Sequence, residues 1–353
     1  MVDDSSAQPV RALILGGGGA RGAYEAGVAA ALAERLHFDI VCGTSIGAIN
    51  GFVVAQGMAD TLEALWREAA ERNVAPYRPE VAGVMRLWSE LHMMGQESLR
   101  ARMHDAIALC EGLPGLRGLS HLHGLFGFLD SSEMRAIVRE HARLDKLNSA
   151  LLLAVTNLTN ARGNTFAYFP DDFSKSRRTA VLAHDDVEPI VEENYVDAIC
   201  ASAALPAAFE PVTVACKNNR RHTFVDGAFT NNTPLRPAVD AGATEIFVIS
   251  VDPLISPQVE RRVRHIGDVI MLALEANSSQ MLQLDLALLE LTNADVERGT
   301  DRPGARRITL RQIRPEEALP IDPLDFAEPG VIAALVAEGR RDAERALDNA
   351  PVA

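Results

Sequence analysis

A short apolar run at residues 12–15 stops at four consecutive glycines, Gly16 to Gly19, and a segment rich in Ala, Glu and Leu follows at 23–36. This reads as a buried strand entering a tight turn and then a helix. The pattern repeats at once: an apolar run at 38–42 ends at Gly43, and 46–56 has helical composition. Strand, glycine loop, helix, strand, turn and helix within sixty residues point to an α/β fold built on a parallel sheet. Further strands fit 151–156, 223–225, 245–251 and 307–313, and helices fit 62–72, 131–141, 195–203, 266–295 and 330–347. With 353 residues, 48% of them apolar, one such unit over 11–353 has core enough, after a flexible N-terminus at 1–10. Residues 76–127 stand apart and are expected to form a helical insertion, either a cap over the site or an extra layer on the core.

A formal net charge of −14 argues against nucleic-acid binding, which needs a cationic surface. The basic clusters at 217–222, 261–265 and 302–314 are expected to be solvated surface. The four cysteines form no C-x-x-C pair, and neither a disulfide framework nor a zinc site is expected. The first residues lack the pattern of a secretory signal and no stretch has the apolar length to span a bilayer. The expectation is a cytoplasmic protein, with peripheral membrane contact left open and oligomeric state unspecified.

Three chemistries use a glycine loop between strand and helix. Gly17, Gly19 and Gly22 satisfy the G-x-G-x-x-G spacing of a dinucleotide site, and Asp39 lies where a ribose-binding acid would stand. A P-loop needs Lys followed by Ser or Thr, which is missing here. An oxyanion hole needs backbone N–H groups aimed at developing negative charge, and glycine lets a substrate come close to them. The loop alone does not choose among these.

The next turn narrows the choice. Gly43-Thr44-Ser45-Ile46-Gly47 matches G-x-S-x-G in the strand–turn–helix setting of a nucleophile elbow. The N–H of Ile46, at the start of the following helix, is placed to join an oxyanion site. A serine needs a base. One candidate is Asp226, at the end of an apolar strand and followed by Gly227 and Ala228; the other is a late histidine, His265, oriented by Asp252. His265 falls in the basic stretch 261–265 and reads as a solvated helix start, which favours Asp226. No H-E-x-x-H or comparable cluster suggests a metal, and no cofactor is expected. Arg21 is expected to pin the glycine loop through backbone carbonyls or a carboxylate in preference to binding a phosphate.

Taken together, Gly17-Gly18-Gly19-Ala20-Arg21-Gly22, Gly43-Thr44-Ser45-Ile46-Gly47, Asp226-Gly227-Ala228 and the stretch Ala201-Ser202-Ala203-Ala204-Leu205-Pro206-Ala207-Ala208-Phe209-Glu210-Pro211 resemble the patatin-like phospholipase family, in its bacterial form. The resemblance implies a three-layer α/β/α fold with a mainly parallel central sheet. It implies a Ser45–Asp226 dyad, an oxyanion hole at Gly17, Gly18 and Gly19 with Ile46, and a lipid or lysolipid substrate cleaved through an acyl-enzyme. Two rivals remain at this level: a carboxylesterase or thioesterase on the same dyad, and a non-catalytic dinucleotide- or lipid-binding module.

Overall fold

A computed structural model describes residues 8–78, 127–253, 266–299 and 306–348. The chain runs β1 (Arg11–Leu15), α1 (Gly22–Ala33), β2 (Ile40–Thr44), α2 (Ile46–Ala55), α3 (Leu62–Arg72), α4 (Ser132–His141), β3 (Ala150–Asn157), β4 (Arg162–Tyr168), α5 (Lys175–Leu182) and β5 (Val187–Pro189). It continues through α6 (Tyr195–Ser202), β6 (Val212–Ala215), β7 (Arg221–Asp226), α7 (Ala228–Asn231), α8 (Leu235–Ala241), β8 (Glu245–Ile249), α9 (Ile266–Glu297), β9 (Thr309–Ile313) and α10 (Pro329–Asp348). Each strand and helix expected from the sequence outside residues 76–127 is present. Most of residues 76–127, along with the first seven and His265, lies outside the described residues. The two ends of that segment meet, through bridges from Tyr77 to Leu129 and from Gly127 to Ala207.

The main sheet has the order β5-β4-β3-β2-β1-β8-β9. Strands β2, β1, β8 and β9 run parallel from β3 outward, and β4 turns back antiparallel. Successive strand residues face opposite sides, and both sides are buried here. Leu13, Leu15, Val41, Leu151, Leu153, Phe247 and Ile249 join a core completed by α1, α2, α3, α4, α6 and α10. Their alternates Ala12, Ile14, Ile40, Cys42, Leu152, Ile246 and Val248 join another with α5, α8 and α9. This is the three-layer α/β/α sandwich, and it explains why these strands read as continuous apolar runs.

One detail of register positions the site. Strand β2 pairs with β3 only as far as Thr44 opposite Ala154. Strand β4 occupies the other edge of β3 over residues 151–157. Strand β7 therefore takes over the edge that β2 vacates, pairing antiparallel with Asp226 opposite Val155. The last residue of β2 and the last residue of β7 thus occupy consecutive positions along β3, although 182 residues separate them in sequence.

Candidate active site

The chain leaves β2 through Ser45, whose backbone adopts φ 57° and ψ −127°. A non-glycine residue rarely takes this conformation, and such strain concentrates at functional sites. The tightness of the elbow comes from its glycines. A Cβ on Gly47 would stand 2.3 Å from the Leu15 carbonyl oxygen, so β1 and the start of α2 pack too closely for any side chain there. The Ser45 N–H donates to Ser202 Oγ at 3.0 Å, and Ser202 Oγ donates to the Ala154 carbonyl at 2.7 Å. The Asp226 N–H donates to the Ala204 carbonyl at 2.9 Å. The stretch that begins Ala201-Ser202 therefore ties down both ends of the β2–β7 junction.

Asp226 is 1% exposed. Its Oδ1 accepts the Ala228 N–H at 2.8 Å, and its Oδ2 is buried with no partner in hydrogen-bonding geometry. Burial pushes its pKa up to about 7, against the opposing pull of the neighbouring Ser45 hydroxyl and the Ala228 amide. The Ser45 hydroxyl is thus beside the carboxylate without being aligned on Oδ2, as in many unliganded sites.

The glycine loop faces this pair. A Cβ on Gly17 would come within 3.0 Å of Ser45 Cβ, and Gly19 has φ +58° with the Pro323 carbonyl so near that no Cβ fits. The Gly17 N–H, expected among the oxyanion donors, is given to Asn232 Oδ1 at 3.0 Å. Among the described residues no acceptor is seen for the Gly18 and Gly19 N–H groups, and the Ile46 N–H opens α2 and has no intrahelical partner. Arg21 is buried. It donates to the Gly18 carbonyl at 3.3 Å and pairs with Asp252 at 2.6 Å and Glu275 at 3.4 Å. It pins the loop, as expected, and Gly22 packs against Ile46. Asp252, the expected partner of the alternative histidine, pairs with Arg21; His265 lies outside the described residues.

The cleft encloses about 70 Å³ and is lined by Gly17, Gly18, Gly19, Ser45 and Asp226. No imidazole is among its described lining residues. Asp39 accepts the Arg11 N–H at 2.8 Å at the entry of β2, the opposite end from the glycine loop. It cannot reach a ribose there, which removes the main support for a dinucleotide site. Among the described residues, one set of metal-ligand atoms is close together, on Glu68, Glu140 and His141; the Arg72 guanidinium already pairs with both glutamates. The roles of Ser202, Asn232 and Thr44, whose hydroxyl donates to the Asn231 carbonyl at 2.9 Å, were not assigned from the sequence. Ser202 stands within a quoted motif; Asn232 carries no sequence signal beyond its nearness to Asp226.

A glycine loop facing a serine on a strained elbow, with a buried carboxylate beside it, is an arrangement for acyl transfer at an ester. The sequence model described as "Patatin-like phospholipase" matches residues 13–239, and the chain belongs to this family of lipid acyl hydrolases. The chain is similar to the cUMP-AMP-activated phospholipase of Escherichia coli, 25% identical over 218 residues, 60% of this chain and 61% of that protein. The match thus spans less than two thirds of that relative. The crystal structure of VipD from Legionella pneumophila aligns with 97% of this chain and 67% of its own at 15% identity and a TM-score of 0.43. Among the described residues no helix is long and apolar enough to cross a membrane.

Proposed function

We propose that the protein is a serine lipid acyl hydrolase of phospholipase A or lysophospholipase type, with Ser45 as nucleophile and Asp226 as its base. The observation that carries this reading is the buried Asp226 carboxylate, with a partnerless Oδ2 and a raised pKa of about 7, beside Ser45 in a cleft with no imidazole among its described lining residues. An ordinary aspartate is too weak a base for a serine, since its pKa is about 3.9. Burial brings it near neutrality, where a general base works best.

In the first step Asp226 Oδ2 accepts the Ser45 proton as Oγ bonds to the ester carbonyl carbon. The N–H groups of Gly18, Gly19 and Ile46 hold the oxyanion. The bond to the leaving alkoxide then breaks and Asp226 returns the proton to it, leaving an acyl-Ser45 ester. Water attacks that ester by the same route, again giving its proton to Asp226, and the fatty acid is released. The substrate is a phospholipid or lysophospholipid, met by peripheral contact with a membrane; no cofactor enters these steps.

Initial rates on phosphatidylcholine, lysophosphatidylcholine, triacylglycerol, an acyl-CoA and p-nitrophenyl butyrate test the reading in wild type, Ser45→Ala and Asp226→Asn. The expected result is turnover of phospholipid or lysophospholipid that both substitutions abolish. Preference for triacylglycerol or the thioester would make it a different hydrolase on the same dyad. Turnover that survives Ser45→Ala would overturn the proposal.

A further inference from the structure

A second cavity, of about 80 Å³, lies between α2, α3 and α4. It shares Ile46, Met134 and Phe326 with the cleft. Because Ile46 is the residue after Ser45, the cavity begins one residue from the nucleophile. Its described wall is almost wholly apolar. The amide of Asn50 is fully committed: Nδ2 donates to the Gly22 carbonyl and to Glu25 Oε2, both at 3.0 Å, and Oδ1 accepts the Trp66 indole N–H at 3.0 Å. His141 Nε2 is engaged with Glu68 at 3.1 Å. Around these the lining is Ile49, Trp66, Ile137 and further aliphatic side chains. Water is held in a cavity by two to four polar partners, and the described lining, with its Asn50 amide and His141 Nε2 engaged, does not supply them.

The boundary between the two spaces comes from the far end of the chain. After β9 a strap crosses the glycine loop, and its Pro323 carbonyl accepts the Ala20 N–H at 2.8 Å. Three residues on, Phe326 stacks on Trp66 with ring centroids 6.3 Å apart and planes 16° apart. The Trp66 indole is itself fixed by Asn50. Phe326 lies outside residues 13–239, where the family match ends. The wall it forms is therefore contributed by the part of the chain beyond that match.

We propose that this cavity is the binding site for the hydrocarbon tail of the acyl group, and that Phe326 on its strap, with Met134, forms the gate that sets the accepted chain length. The proposal rests on the acyl-hydrolase reading above. With the carbonyl carbon at Ser45 Oγ, the chain passes Ile46 and enters between Met134 and Phe326. A short chain stays in the cleft and never meets Ile137; a long one must displace nothing polar to fill the cavity. Ile49 and Ile137, both partly exposed in the wall, limit its depth.

Two experiments on the full chain test this. In the first, kcat/KM for p-nitrophenyl esters of four, eight, twelve and sixteen carbons is compared in wild type, Ile137→Phe, Ile49→Phe and Phe326→Ala. The isoleucine substitutions fill the cavity and are expected to lower the twelve-carbon rate at least about tenfold while leaving the four-carbon rate within about twofold. Phe326→Ala opens the gate and moves the optimum to longer chains. In the second, Ser45→Ala combined with Trp88→Phe leaves Trp66 as the sole tryptophan, since the chain has two. Titration with 12-bromododecanoate is expected to quench its emission by half or more, and Ile137→Phe is expected to relieve the quenching.

Parallel chain-length profiles in all variants that retain the wild-type melting transition, or unquenched Trp66, overturn the proposal. If no ester of any length is hydrolysed but Trp66 is still quenched, the acyl-hydrolase reading fails and the cavity stands as a fatty-acid site.

Discussion

Two carboxyl groups near the glycine loop are fully buried, and of the two only Asp226 lines the cleft. Glu25, on α1 beneath the loop, and Asp226, at the end of β7, each leave one oxygen without a partner. Burial raises the pKa of both. Glu25 accepts from Asn50 Nδ2 and the Gly16 amide, which favour its charged form, but its burial in a closed core outweighs them and raises its pKa. Asp226 faces an open cleft and touches a serine whose backbone is strained. A perturbed acid is thus not by itself a site; what distinguishes Asp226 is a neighbour with a proton to give and a space for substrate.

The largest expected contrast is catalytic. Ser45→Ala and Asp226→Asn should each lower kcat/KM by at least about 10³-fold, whereas Glu25→Gln, which keeps the side chain's shape and an acceptor for Asn50 Nδ2 outside the cleft, should leave it within about threefold. Steady-state rates on the best substrate of the panel decide this. Loss in Glu25→Gln equal to that in Asp226→Asn, with the fold intact by circular dichroism, would erase the distinction.

Next in size is the loop's anchor. Arg21→Ala strips the cation from Asp252 and Glu275, a change that for buried pairs costs about 3–5 kcal/mol; Asp252 is half-exposed, which places the expected loss at the lower end. Urea denaturation measures it.

The pH dependence of stability follows from the sign of the shift at Asp226. The folded protein binds a proton there more tightly than the unfolded chain does, so stability from this residue is present at low pH and is lost as pH rises from about 4 to about 7. Asp226→Asn removes the loss. Relative to wild type it should gain stability over that window, by at most about 4 kcal/mol at pH 8 and almost nothing at pH 4. Thermal melts at the two pH values make the comparison.

The smallest effect belongs to positioning. Ser202→Ala removes the acceptor of the Ser45 N–H, and we expect kcat to fall about tenfold with KM nearly unchanged, the equivalent of roughly 1–2 kcal/mol for one lost hydrogen bond.

How much of this was legible in the sequence follows the same divide. The core strands announce themselves because both faces are buried, so β1, β2, β3 and β8 read as unbroken apolar runs. Strands β4, β5 and β6, and the helices α5, α7 and α8, were not anticipated. Strand β4 contains Arg162, Gly163 and Asn164, and its placement depends on the hairpin with β3 rather than on apolar period. The glycine loop, the elbow and the aspartate carried their own motif signals. Their meeting was implied by the family resemblance and not by any local pattern, because it depends on β7 replacing β2 along β3, a long-range register. The engagement of the Gly17 N–H by Asn232 was hidden for the same reason, since the two are 215 positions apart.

The claim that Asp226 activates Ser45 is tested most directly by the rate at which a fluorophosphonate probe labels Ser45, followed from pH 5 to pH 9 in wild type and Asp226→Asn. The account predicts that wild-type labelling rises with pH through an inflection near 7, the pKa of Asp226, and that the variant labels slowly with no such rise. Equal labelling of the two proteins, with the same inflection in both, would contradict it and place the base elsewhere.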